Sequence, residues 1–495
     1  MEPTPQNHGQ CTAHANAPRS NVVKPGRFGR LFPELPPWTT GDTAKDRAVA
    51  SELATAMHAN QPIDGVIPAG FTYLGQFIDH DMTFDPTSIG ENAVDLDDLK
   101  NFRTPALDLD CLYGSGPRDQ PFLYLRSSGT KSEQFIVGPV VRPPAGAPGA
   151  DHSQAIALDG HTYDLPRVCD GISEHTAILG DRRNDENLIV AQLHRTMLHF
   201  HNAVCLHFPQ SDFRTVRKTV MHYYQHVLLN QFLPMIAGKT ETAEALAQLK
   251  YYRIGVGEAA TEPFIPLEFS GAAYRFGHSM IRSGYKFNAV FPGNSTNLIF
   301  QFTGSGFPPA LHHYPTNWLL NWKQFFPDLG GSPQVTKAID PLLAPELVIG
   351  PDKVPLALLN LERGSTLHYC LPSGQQVSKR MCTKPLSKEA LESGPTGAVI
   401  KKFNLGENTP LWFYILKEAE VSAGGTHLGP IGGTIVAEVM VGLLRSDPES
   451  VLNSTADALP VAGKDFKIGD LFKFVESKKG QSNIPAAGVI NPLGD

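Results

Sequence analysis

One stretch constrains the fold more than any other. Tyr73-Leu-Gly-Gln-Phe-Ile-Asp-His-Asp-Met-Thr-Phe-Asp-Pro-Thr87 sets a glutamine, a histidine and two flanking aspartates into an otherwise apolar segment. Read as a helix, residues 71–82 place Gln76 and His80 one turn apart on one face, with Asp79 and Asp81 pointing about 100° to either side. A helix that only filled a core would rarely carry two carboxylates and an imidazole in a row, because each must be paired or solvated when buried. The rest of the chain therefore has to bring partners to three sides of this helix.

The bulk properties exclude several classes of partner. The formal net charge is -7, from 42 basic and 49 acidic residues, and no basic run is interleaved with aromatics, so a nucleic-acid partner is not expected. Ile431 to Leu444, the longest apolar-looking stretch, is interrupted by Glu438 and is too short to span a bilayer. Met1-Glu-Pro-Thr-Pro-Gln-Asn-His8 has neither a charged n-region nor an apolar h-region, which predicts a cytoplasmic or leaderless secreted protein. The six cysteines are scattered without a CxxC, fitting neither a zinc site nor a dense disulfide framework.

Length alone, at 495 residues, suggests about three domains, but the order of elements argues for one. Residues 1–60, rich in Pro, Asn and Gly, read as an extended N-terminal arm laid over a body of residues 61–495. Helical patterns follow one another over 185–208, 213–232 (ending at Pro234), 272–282, 355–361, 410–421 and 435–445, with a short β-like patch at 297–302. No period of 20 to 50 residues repeats. The expected fold is mainly α, a single large helical domain with long irregular loops and few short strands.

Four further segments carry polar groups with chemical potential. If 104–110 is extended, Thr104, Ala106, Asp108 and Asp110 share one side and Leu107 and Leu109 the other, which suits Ca²⁺ and its taste for hard oxygen ligands; alone it reads as an acidic surface loop. Gly180-Asp-Arg-Arg-Asn-Asp-Glu-Asn187 opens a helix, where an arginine could face developing negative charge or simply be a solvated cap. His194, His199, His201 and His207 make no i, i+4 pair among themselves and read as surface or core histidines. His278 stands beside Gly277, where a flat ligand could approach the backbone, and Asn360 is an amide in an aliphatic run that needs a partner such as an imidazole N–H.

Taken in order, these stretches resemble the animal-type haem peroxidases (the peroxidase-cyclooxygenase superfamily), bacterial members in particular, over roughly residues 25–450. The resemblance is carried by Gly75-Gln-Phe-Ile-Asp-His-Asp81, segment 104–110 with Leu112-Tyr-Gly-Ser115, Gly180-Asp-Arg-Arg183, His201-Asn202, Arg275-Phe-Gly-His278, Leu359-Asn-Leu-Glu-Arg363 and Leu428-Gly-Pro430. It implies haem b or an ester-linked derivative, and Ca²⁺. His80 is then the distal histidine with Gln76 beside it, Arg183 the distal arginine, and His278 the iron ligand whose ring N–H Asn360 accepts. Asp79 and Glu186 match carboxylates esterified to haem, Arg275 and Arg363 match arginines near the propionates, and Asp81, Thr104, the Ala106 carbonyl, Asp108 and Asp110 match the calcium ligands.

The activity so implied is reduction of H₂O₂ and oxidation of a small donor, halide or phenolic, through a ferryl porphyrin-radical intermediate. His80 would move the peroxide proton and Arg183 would stabilise charge as the O–O bond breaks. Asn187 stands where relatives with a third haem bond carry methionine, so no sulfonium link is expected. The alternative within the superfamily is a fatty-acid dioxygenase; its radical tyrosine lies three residues before the proximal histidine, where this chain has Arg275. An alternative of another class is a non-catalytic haem- and calcium-binding interaction protein, for which both His80 and Arg183 would be superfluous.

Overall fold

The centre of the protein is a helix buried from Leu188 through Cys205, and its sequence shows why it sits there: apolar residues face every direction, and the polar ones among them are all hydrogen-bonded. A computed structural model describes residues 26–59, 62–85, 99–125, 129–168, 175–253, 262–304, 311–349, 353–454 and 465–494. The acidic loop 91–98, residues 1–25, Cys11 and Cys169 lie outside the described residues. The four described cysteines are free, and no described helix is long and apolar enough to cross a membrane.

The principal helices are α1 (Thr43–His58), α2 (Gly70–Met82), α3 (Leu188–His207), α4 (Phe213–Val227), α5 (Leu356–Gly364), α6 (Leu411–Ala423), α7 (Pro430–Ser446) and α8 (Ile468–Glu476). α2, α4 and α8 pack around α3. Strands are short: β1 (Gly26–Gly29) lies between β2 (Lys100–Asn101), antiparallel to it, and β3 (Ile265–Pro266), parallel to it. The mainly α fold expected from the sequence is the fold observed.

Several local expectations give way to tertiary context. Within the segment read as an extended arm, residues 43–58 are helical: Asp42 caps the helix by accepting from Ala44 and Lys45, and Val49, Leu53 and Met57 are buried on one side. Pro234 does not end the helical run after α4. A π turn over Leu228–Phe232 carries the chain into Leu233–Ile236 with the proline in its first turn, where a missing N–H is harmless. Residues 296–300 form a 3₁₀ turn rather than a strand, and the expected helix over 272–282 is a 3₁₀ segment, Ala273–His278.

Buried carboxylates hold distant segments to the core by accepting backbone N–H groups. Glu268 accepts from Leu31 at 3.0 Å and Phe32 at 3.1 Å. Glu438 accepts from Lys250, Tyr251 and Tyr252 at 2.8, 2.6 and 2.9 Å, and Glu418 accepts from Ile431, in the first turn of α7, at 2.9 Å. Such bonds satisfy donors that would otherwise be orphaned at a helix start or in a loop.

Candidate active site

α2 has no side-chain cap. The amides of Ala69 and Gly70 instead donate to the carbonyls of Gln334 and Phe325, at 2.8 and 2.9 Å, so neighbouring chain fixes where the helix begins. A Cβ at Gly70 would lie 2.6 Å from the Phe326 ring, which is why this contact needs glycine. Apart from Gln76 and Asp79 the whole helix is buried. Those two side chains, with Arg275, Gly277, His278 and Arg363, are only half-buried although their elements run through the interior. A Cβ built on Gly277 would meet nothing within 4 Å.

The turn Arg182–Asp185 and its flanking residues Asp181 and Asn187, the cap of α3, are held from four directions. Asp181, fully buried, accepts from Arg103 Nε at 2.8 Å and from Arg183 Nη2 at 2.7 Å, and the Arg183 guanidinium beside it holds its carboxyl well below the usual carboxylate range despite burial. Arg183 Nη2 also donates to the His80 carbonyl at 3.1 Å, and its guanidinium lies 4.5 Å over the Phe84 ring. Asp185 receives both Nη nitrogens of Arg167, at 2.7 and 2.8 Å. Asn187 caps α3 through its oxygen and donates from Nδ2 to Gln76 Oε1 at 2.9 Å, while Gln76 Nε2 donates to Glu186.

His80 is buried, its Nδ1 2.8 Å from Asn184 Oδ1 and its Nε2 3.8 Å from Glu186 Oε1. The Asn184 oxygen opposite Nδ1 suits a ring that carries a proton on that nitrogen. Asp79 accepts from Thr83 Oγ1 at 2.9 Å, and Glu186, 46% exposed, faces His80.

His278 Nδ1 lies 2.8 Å from Asn360 Nδ2. Burial, with Arg275 and Arg363 adding to it, pushes the His278 pKa down to about 3, so the ring is neutral. The pair expected from sequence is together, but the amide points its nitrogen at the ring, the reverse of the expected acceptor role; ligation of a metal by Nε2 requires a half turn of the Asn360 amide so that its oxygen receives the Nδ1 proton. Arg275 donates to the Ser270 carbonyl at 2.9 Å, and burial followed by Arg363 lowers its pKa to about 10. Arg363 Nε is buried without a partner. Two guanidiniums side by side with spare donors are suited to a dianion.

The segment 104–110 is bent rather than extended, with Leu109 at φ 60°, yet Leu107 and Leu109 point into the core as expected. Oxygens of Asp81, Asp108 and Asp110 lie within 4.8 Å of one another. Thr104 Oγ1 donates to Asp108 at 2.9 Å, Thr104 N donates to Asp110 at 3.0 Å, and Ala106 lines a cleft of about 340 Å³ on the outer side of the loop, away from His80. Both Asp81 oxygens are fully buried and lack a hydrogen bond. Burial, then repulsion from Asp108 and Asp110, pushes the Asp81 pKa up, and burial lifts that of Asp110 to about 7.

Sequence reasoning missed Asn184, Asp181 as the grip on Arg183, and Arg103. A lone asparagine between an arginine and an aspartate carries no signal of its own; only His194, an imidazole in the most apolar stretch of α3, hinted that a polar partner must be near.

The fold is similar to those of a solved peroxidase and a solved fatty acid dioxygenase. Peroxidase A from Dictyostelium discoideum superposes with a TM-score of 0.60, at 15% identity, over 94% of this chain and 94% of that one. The fatty acid α-dioxygenase of Arabidopsis thaliana gives 0.61, also at 15% identity, over 95% of this chain and 81% of that one. At this identity the likeness is one of fold. Residues 99–305 match the animal haem peroxidase family. Heme peroxidase 2 of Caenorhabditis elegans is 24% identical over 42% of this chain, and a peroxidase-like protein of Margaritifera margaritifera 22% identical over 46%. The chain spans about a third of the length of each, 34% in both cases.

Proposed function

We propose that the protein is a haem peroxidase that reduces hydrogen peroxide and oxidises a small donor, halide or phenolic. The observation that carries this reading is the pair of buried imidazoles with amide partners, His80 Nδ1 2.8 Å from Asn184 Oδ1 and a neutral His278 2.8 Å from Asn360 Nδ2. The residues fit haem on three independent counts: open space at Gly277, an imidazole that can turn a nitrogen to iron, and Arg275 beside Arg363, whose buried Nε has no partner. They fit Ca²⁺ through the two orphaned Asp81 oxygens, with Thr104, the Ala106 carbonyl, Asp108 and Asp110 completing an all-oxygen set. One unit, with residues 1–60, including α1, packed on a catalytic body of 61–495, is part of the same reading.

Haem held by His278 would supply the iron and porphyrin that peroxide oxidises by two electrons. The chain's own task is proton movement and charge stabilisation. His80 Nε2 takes the proton from one peroxide oxygen and delivers it to the other, so that the leaving oxygen departs as water. Arg183, fixed by Asp181, presents positive charge beside His80 while the O–O bond breaks. Gln76, gripped by Asn187 and Glu186, orients what sits beside His80. Asp79 and Glu186 would reach the porphyrin edge, and Asn187, spent on capping α3, leaves no thioether for a third bond.

The fatty-acid dioxygenase reading is less well supported. Arg275 occupies the position three before His278, and the Tyr274 hydroxyl donates to the Gly75 carbonyl at 3.2 Å, with burial pushing its pKa up. Incubation with linoleate under oxygen separates the two readings: hydroperoxide formed without added donor favours the dioxygenase, and donor oxidation only with peroxide favours the peroxidase.

A further inference from the structure

Behind His80 a short polar chain crosses the core. Asn184 is fully buried; its Oδ1 lies 2.8 Å from His80 Nδ1 and its Nδ2 lies 2.9 Å from Nδ1 of His194 on α3. An amide has one accepting and one donating end, so this chain has a direction. Asn184 Nδ2 needs a bare nitrogen on His194, and Asn184 Oδ1 needs a proton on His80 Nδ1. A half turn of the amide would reverse all three assignments together and put the His80 proton on Nε2, where it would block proton abstraction.

His194, whose Nδ1 faces the amide nitrogen, accepts there in this arrangement and carries its proton on Nε2. It is fully buried, and burial lowers its pKa to about 3, which keeps the ring neutral. Its Nε2 has no hydrogen-bond partner and its ring stands 6.0 Å from that of Phe77, edge to face. His80 Nδ1 makes no other hydrogen bond among the described residues. The His80 backbone is held separately, by Arg183 at its carbonyl, so ring and main chain are positioned by different partners.

We propose that Asn184, anchored by His194, fixes His80 in the Nδ1–H tautomer and thereby keeps Nε2 bare for the peroxide proton. This rests on the peroxidase reading for its purpose, though not for its existence. Neither Asn184 nor His194 touches substrate; both are positioning residues, and they act by choosing which nitrogen of a neutral ring holds its proton.

The test is a long-range ¹H–¹⁵N correlation spectrum of the full chain labelled in its histidine rings, recorded with and without zinc protoporphyrin, a diamagnetic stand-in for haem. The His80 signals are assigned by their loss in His80→Gln. The expected result is a protonated Nδ1 and a bare Nε2 in the native chain, with the proton moved mainly to Nε2 in Asn184→Ala. Asn184→Asp, an acceptor only, should restore the Nδ1–H form. In haem-loaded protein Asn184→Ala should consume peroxide at least about tenfold more slowly. A native His80 protonated at Nε2, or an unchanged tautomer in Asn184→Ala, overturns the proposal; if the alanine variant does not fold, the native and aspartate spectra still decide it. Failure to take up porphyrin would count against the peroxidase reading instead, because the porphyrin-free spectrum still reports the tautomer.

Discussion

Arg183 turns back on Asp181, two residues before it, and closes an ion pair with Nε 3.1 Å from Oδ1 and Nη2 2.7 Å from Oδ2. The same Nη2 reaches the His80 carbonyl, so one carboxylate sets both the arginine and the backbone of the histidine. Arg103 grips Asp181 from the other side. Three charges thus meet in a place almost closed to solvent.

Asp181→Asn should therefore destabilise the fold by about 3–5 kcal/mol, since two guanidiniums lose a buried counter-ion. The Asp181 pKa lies well below the ordinary carboxylate range, so its contribution is fully present above about pH 4 and is lost only as pH falls through that lower value. Urea unfolding of the native chain and variant at neutral pH measures the loss; a difference under about 1 kcal/mol would fit a surface pair, not a buried one.

Glu418 gives the opposite pH dependence. Burial lifts its pKa from 4.5 to about 7, against two backbone N–H bonds that favour the charged form. The folded state holds this proton more tightly than the unfolded one, so the contribution is present at low pH and is lost as pH rises through about 7, by on the order of 3 kcal/mol. Glu418→Gln keeps an acceptor for Ile431 and cannot ionise. Melting temperatures at pH 5 and pH 8 should differ less in the variant than in the native chain; equal differences would mean that Glu418 stays charged throughout.

The acid cluster predicts a crossover. Without a cation, Asp81, Asp108 and Asp110 repel, so Asp81→Asn should melt at or above the native chain in chelator. With Ca²⁺ at about a hundred times its Kd the native chain should gain about 2.7 kcal/mol, and the variant little. Calorimetric titration that finds no calcium heat in the native chain would remove Ca²⁺ from the account.

Asp79 is half-buried and Glu186 is tied only to Gln76 and His80, so both remain available for ester bonds to haem. After peroxide treatment, acidified organic solvent should leave part of the haem on the native chain and release all of it from Asp79→Asn/Glu186→Gln. Complete release from the native chain would rule out the linkage.

What was legible in the sequence was whatever a periodic helix or a quoted motif could carry. Gln76, Asp79, His80 and Asp81 stand out because polar groups interrupt an apolar helix, and His278 pairs with Asn360 across 82 positions as the motifs implied. Contacts fixed only by folding were not legible. Asn184 becomes meaningful once α3 brings His194 to it, the loop 104–110 bends where an extended chain was expected, and a π turn let the helical run pass Pro234. The orientation of the Asn360 amide is likewise a property of its surroundings and not of its neighbours in sequence.

The central claim, a peroxide-reducing haem site built on His80, is tested most directly by the absorption spectrum of haem-loaded protein before and after one equivalent of hydrogen peroxide, beside that of His80→Ala. The native chain should convert within the mixing time and return to its starting spectrum when a phenolic donor is added. His80→Ala should bind haem equally and convert at least about a hundredfold more slowly. Equal rates in the two proteins would contradict the account.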